Sequence, residues 1–208
     1  MRPKIALAVA RCLDAWSWVE TQTAMLYVAL CRTNHEQAVD YFCSLESAKA
    51  KTDAIRVAAM NLLPETEVRI INALLRYIKS QQSTRDRMAH WLWATSGDLL
   101  DDILIYDPKV LMKSKAEFFA ALYGGMSYEE ARKAAPPSKV PKGDLYIYTE
   151  EALEKDRINF NNLLELITSA AVLCGTSLTD PTRAQIRDEI AKDARLAEYL
   201  SPSPSADR

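Results

Sequence analysis

Apolar positions recur at helical spacing along most of this chain, and the period breaks in one place. From Pro3 to about Arg32 there is no glycine and no internal proline. Ile5, Val9, Leu13 and Trp16 lie on one side and Trp18, Met25, Tyr27 and Leu30 on others, so one long helix, apolar around most of its circumference, is predicted. A second helix is predicted over 35–63 behind the cap Asn34, with a stripe at Phe42, Leu45, Ala48, Thr52, Ile55, Ala59 and Leu62, and Pro64 stops it. A third, over 65–81, turns Val68, Ile71, Leu75 and Ile78 inward. Ser83, with Asp86 three places on, reads as the start of a fourth helix that Gly97 ends. Short connections between four such helices predict antiparallel neighbours in an up-and-down bundle.

After Gly97 the period shortens. The runs 97–106 and 143–149 each open with Gly-Asp and continue in β-branched and aromatic residues, which predicts a two-stranded ribbon. Between them, short helices are expected near 115–123 and at 128–135, the latter capped by Ser127 with Glu130, followed by an exposed proline-rich loop over 135–142. A fifth long helix is predicted over 150–174, ending before Gly175, and Asp180-Pro181 starts a last charged helix to Leu200. The expected organisation is a bundle over 1–175 with an insertion at 97–149, a C-terminal helix within 176–200, and a disordered tail over 201–208 rich in serine and proline. The fold class is therefore mainly α, with four core helices, a fifth long helix and a small β ribbon.

Composition narrows the chemistry. A chain of 208 residues is long enough for a sizeable core, and its five glycines argue against a many-turned all-β fold. A net charge of −2 gives no global pull towards nucleic acid or anionic lipid. Cys12, Cys31, Cys43 and Cys174 are widely spaced and read as buried free thiols of a reducing cytoplasm. No segment approaches the ~20 apolar residues of a membrane span. A cytoplasmic protein without a membrane anchor, metal or cofactor is expected.

One segment carries candidate chemistry: Arg85-Asp86-Arg87-Met88-Ala89-His90. Four apart on a helix, Asp86 and His90 share a face, so a carboxylate could orient the imidazole. Arg85 and Arg87 supply fixed positive charge, and a helix start would add free amides for a phosphate. Those parts suit metal-free phosphodiester cleavage, which needs a proton acceptor or donor and a cation for the developing charge. Arg76 and Lys79 could extend the basic surface. The bland reading is a packing histidine beside Trp91 and Trp93, with arginines that only solvate a helix. His35, at a helix start beside Glu36, reads as a solvated capping-region residue.

The segment resembles the motif of the HEPN superfamily: arginine, a polar residue, three more residues, then histidine. The resemblance implies a helical bundle, a homodimer that brings two motifs together, and, in active members, metal-independent RNA cleavage. By family role Arg85 and His90 would be catalytic with Asp86 supporting them; the basic surface of Arg87, Arg76 and Lys79 is then the expected site for RNA or its phosphates. Asp86 stands where asparagine is commoner. Two functions follow as expectations. One is an endoribonuclease of the toxin or phage-defence kind. The other is a non-catalytic adaptor, antitoxin-type or nucleotide-binding module, with RNA, a nucleotide, a cognate antitoxin or another protein as partner.

Overall fold

The computed structural model describes residues 3–32, 34–99, 101–134, 145–175 and 178–200. The protein is mainly α, a helical bundle with a small antiparallel sheet. Its elements are α1 (Pro3–Cys31), α2 (His35–Ser44), α3 (Ala48–Leu62), α4 (Glu65–His90), β1 (Leu92–Ala94), β2 (Ile103–Tyr106), α5 (Pro108–Tyr123), α6 (Tyr128–Ala134), β3 (Leu145–Tyr148), α7 (Glu150–Cys174), α8 (Asp180–Lys192) and α9 (Ala194–Leu200). Among the described residues no helix is long and apolar enough to cross a membrane.

Two compact units form from discontinuous segments: 1–13 with 84–156, and 14–83 with 157–208. The second is a helical bundle. Its buried side chains include Trp16, Val19, Leu26 and Leu30 of α1, Phe42 of α2, Ile55 of α3, Ile71 and Leu74 of α4, and Phe160, Leu163 and Ile167 of α7. Trp16 meets Phe160 edge to face at 5.2 Å, and its indole N–H donates to Glu20 at 2.8 Å, so the ring is buried with its one donor satisfied. Glu67, buried in the first turn of α4, accepts a fork of hydrogen bonds from Arg183 of α8 at 2.9 and 2.8 Å. Arg76 donates to the Tyr199 carbonyl, and Tyr77 stacks on Tyr199 at 5.3 Å, which seats α9 on α4.

The first unit holds the sheet, in strand order β1-β2-β3. Leu92 pairs with Tyr106 across the first ladder, and Ile103 with Tyr148 across the second. In β2 the alternation is plain: Ile103 and Ile105 are buried, Leu104 and Tyr106 half-buried. Ile5 and Val9 of α1, Met88 of α4 and Leu153 of α7 complete this core. The Cys12 thiol donates to the Leu153 carbonyl oxygen at 3.1 Å.

Capping chemistry explains where several helices begin, and where the expected boundaries were wrong. Asn34 caps α2, accepting from the Glu36 and Gln37 amides, and His35 is exposed there as expected. The single helix expected over 35–63 is two. Leu45 is extended and Ser47 caps α3 by accepting from the Ala50 amide at 3.1 Å. The expected third and fourth helices are instead one, α4. Ser83 does not cap: its hydroxyl donates to the Ser80 carbonyl at 3.0 Å, and no glycine or proline interrupts 65–90. The helix then stops at His90 rather than Ser96, because Leu92–Ala94 pair with Leu104–Tyr106 as a third strand. The ribbon is therefore a three-stranded sheet, and the strand expected over 97–106 shrinks to Ile103–Tyr106. The helix expected at 115–123 begins at Pro108, with Asp107 as its cap, and the Ser127–Glu130 capping box opens α6. The C-terminal helix is broken at Asp193 into α8 and α9. The proline-rich loop, the Gly-Asp pair at 143–144 and the tail over 201–208 lie outside the described residues.

No disulfide joins the four cysteines, but only Cys12 and Cys174 are buried; Cys43 is exposed, against the expectation of four buried thiols. Burial pushes the Cys174 thiol up to about 12, which keeps it protonated and inert.

The break at Asp193 carries a pH dependence. Its carboxylate accepts from the backbone and guanidinium N–H groups of Arg195, both at 2.8 Å, and the guanidinium bond chiefly holds its carboxyl below the usual aspartate range. A depressed folded pKa contributes stability that is present above the unfolded value of about 3.9 and is lost as pH falls through the folded value. Asp193→Asn is expected to lower the melting temperature at pH 7 but to flatten its fall below about pH 4. Thermal melts across an acid pH series measure this, and a variant with an unchanged acid limb would refute the assignment.

Candidate functional site

The Arg-Asp-Arg-x-x-His segment lies in the last two turns of α4, in the sheet-bearing unit. This inverts the expected electrostatics. A helix end presents carbonyl oxygens and the negative pole of the macrodipole, so no free amides are available here for a phosphate. Arg87 and His90 in the last turn suit that pole. The Trp91 amide donates to the Arg87 carbonyl at 3.1 Å and the Trp93 indole N–H to the Met88 carbonyl at 3.3 Å, satisfying two of the terminal oxygens.

Arg85 and His90 are brought together. Arg85 Nη1 lies 3.3 Å from His90 Nε2 and 3.1 Å from Asp86 Oδ1. A guanidinium has no acceptor, so Arg85 donates and Nε2 accepts, which puts the ring's own proton on Nδ1. His90 is exposed, and the Arg85 side chain is 27% accessible. Asp86 differs from expectation. Its carboxylate is bonded to Arg85 rather than to the imidazole, and so acts on His90 only by holding the guanidinium beside it.

Arg87 turns into the unit instead of outward to a ligand. Its Nη2 donates to Thr84 Oγ1 at 3.0 Å, its guanidinium carbon sits 4.4 Å from the centre of the Tyr146 ring, and its Nε is buried with no hydrogen-bond partner. Burial pushes the Tyr148 phenol up, and the Arg87 guanidinium opposes that rise. Burial likewise pushes the Asp156 carboxyl up, with the Arg87 charge opposing it. Arg87 thus sits over the Tyr146 ring, and its charge is felt at Tyr148 and Asp156. The alternation Leu-Tyr-Ile-Tyr in β3 is the sequence signal that puts both tyrosines on one face. Arg87→Lys keeps the charge but loses the planar fork, and is expected to cost about 1 kcal/mol in urea unfolding. A neutral effect would show that the stacking contributes nothing.

Arg76 and Lys79 belong to the bundle unit, where Arg76 is engaged with Tyr199 and Lys79 is exposed. Among the described residues no three His, Cys, Asp or Glu side chains are grouped to hold a metal ion. No family model, curated protein or solved structure matches this chain.

Proposed function

We propose that the protein is a cytoplasmic, metal-independent endoribonuclease, homodimeric, of the HEPN toxin or phage-defence kind. The contact of Arg85 with the exposed His90 supports the reading, together with the resemblance of residues 85–90 to the HEPN motif. A phosphodiester competes with Nε2 for the Arg85 guanidinium, since a charge-assisted bond to phosphate is the stronger. Once Arg85 turns to the phosphate, the Nε2 lone pair is released. It accepts the proton of a 2′-hydroxyl, the 2′-oxygen attacks phosphorus, and the 5′-oxygen leaves with a proton from water. Arg85 meanwhile neutralises the charge growing on the phosphoryl oxygens. Asp86 holds Arg85 in reach between turnovers. The exposed Trp18 and Met25, seven residues apart on one face of α1, supply an apolar surface for the proposed dimer.

Purified protein is expected to cleave RNA in EDTA, and His90→Ala and Arg85→Ala each to lower the rate by at least about 100-fold while keeping native circular dichroism. Light scattering is expected to give a dimer that Trp18→Glu dissociates. Equal cleavage by wild type and His90→Ala would end the proposal. Absence of cleavage by folded dimer would leave the second reading, a non-catalytic helical adaptor, which the existing engagement of Arg85 with Asp86 favours.

A further inference from the structure

Helix α5 is sixteen residues long and buries none of them. Its apolar side chains nevertheless form a stripe. Met112, Ala116, Phe119 and Tyr123 are spaced i, i+4, i+7, i+11 and lie within about 60° of one another around the axis. Met112, Phe119 and Tyr123 are 69%, 49% and 87% exposed, so the stripe faces away from the unit's own core. Rings continue it onto α6: Phe119 stacks on Tyr123 at 6.4 Å, Phe118 meets Phe119 at 5.6 Å, and Tyr128, itself exposed, meets Phe118 at 5.4 Å. Beyond Tyr123 the chain turns through Gly124 and Gly125, where a hollow of about 450 Å³ opens beside Met126. An outward apolar stripe of this length on a helix is the pattern by which one helix receives another.

The flanks identify the kind of helix. Taking Met112 as zero, Lys109 and Lys113 fall at roughly +60° and +100° and Lys115 at roughly −60°, so exposed ammonium groups border the stripe on both sides. Glu117 lies farther round, at about +140°. A second copy of α5 would bring lysines against lysines near the middle of the contact, a repulsive arrangement. The chain's own segment over 135–144 carries Lys139 and Lys142 against a single carboxylate, Asp144, and complements the face no better. We propose that α5, with the adjoining rings of α6, is the docking surface for an amphipathic helix of another protein, whose apolar stripe is flanked by acidic residues. The docked helix covers Met112, Phe119 and Tyr123, and its carboxylates meet Lys109, Lys113 and Lys115.

Two synthetic helical peptides test this against the full-length protein. Both carry leucines at the same i, i+4, i+7, i+11 spacing; one has glutamates on the flanks and the other lysines. Fluorescence anisotropy is expected to show micromolar binding of the glutamate peptide and at least about tenfold weaker binding of the lysine peptide. Phe119→Asp and Tyr123→Asp should each weaken the first by at least about tenfold, with unchanged circular dichroism. The triple replacement Lys109→Glu, Lys113→Glu, Lys115→Glu should reverse the preference. No binding of the glutamate peptide, or equal binding of both, would overturn the proposal. So would three alternative occupants, each scored by loss on Phe119→Asp: self-association of the protein, binding to phosphatidylserine vesicles, or binding to single-stranded oligouridylate. None of these readouts depends on RNA cleavage, so this surface and the Arg85–His90 proposal stand or fall separately.

Discussion

Replacing Ser83 with proline is expected to destabilise the protein by about 3 kcal/mol or more, or roughly 6–12 °C in melting temperature for a chain of this size. The exposed Ser83 side chain is dispensable; the damage comes from the backbone. Within α4 (Glu65–His90) its amide belongs to an unbroken helical ladder, and a pyrrolidine ring would remove that donor and clash with the preceding turn. Ser83→Ala supplies the contrast. A mid-helix serine replaced by alanine should be neutral or slightly stabilising, whereas loss of a cap would cost about 1 kcal/mol. Denaturant unfolding of both variants measures the pair. A mild proline effect together with a costly alanine would return Ser83 to the start of a helix, and with it the free amides that the sequence suggests for a phosphate.

The second large effect is expected at Arg183. Arg183→Ala should cost about 3 kcal/mol, near the low end of what removing one partner of a buried ion pair does, because the guanidinium itself is 21% exposed while Glu67 is 2% exposed. The penalty is that of a carboxylate left in the interior with no partner. Replacing both members together, as Glu67→Met with Arg183→Met, should recover most of the loss. A double-mutant cycle by urea unfolding separates the terms, and a mild single variant beside a severe double one would contradict this account.

These two sites show where the sequence was legible. The helices α1 and α7 were readable almost to the residue, since each is a long periodic run with a clear stop. The sheet was readable in kind, because Ile103–Tyr106 and Leu145–Tyr148 alternate and are β-rich. What misled was polar punctuation. Ser-Gln-Gln-Ser-Thr at 80–84 has the composition of a connection, but on α4 it is a stretch of helix with no breaker in it. Ser47 looks like one more polar residue on a helix, yet its hydroxyl caps one. Both are serines bonded three residues away, Ser47 accepting from the Ala50 amide and Ser83 donating to the Ser80 carbonyl, so residue type alone does not tell a cap from a helix interior. Within the candidate site, spacing on one helix pointed to Asp86 as the neighbour of His90, whereas Arg85, five residues away and about 140° round the axis, reaches the imidazole through the length of its side chain. The engagement of Arg87 with Tyr146, Tyr148 and Asp156 depended on strands and helices far along the chain, and no short-range pattern announced it.

The boundaries between the two compact units fall at 13/14, 83/84 and 156/157, each inside a continuous helix, α1, α4 or α7. Neither unit is a contiguous run of sequence. During synthesis, Trp16 leaves the ribosome long before the Phe160 it packs against, and Glu67 long before Arg183. The nascent chain carries Trp16 and Glu67 without those partners until residues beyond 156 are made, so the second unit closes after every segment of the first has been synthesised. Only a cut at 83/84 splits both units at once; residues 1–156 still hold every segment of the first and residues 14–208 every segment of the second.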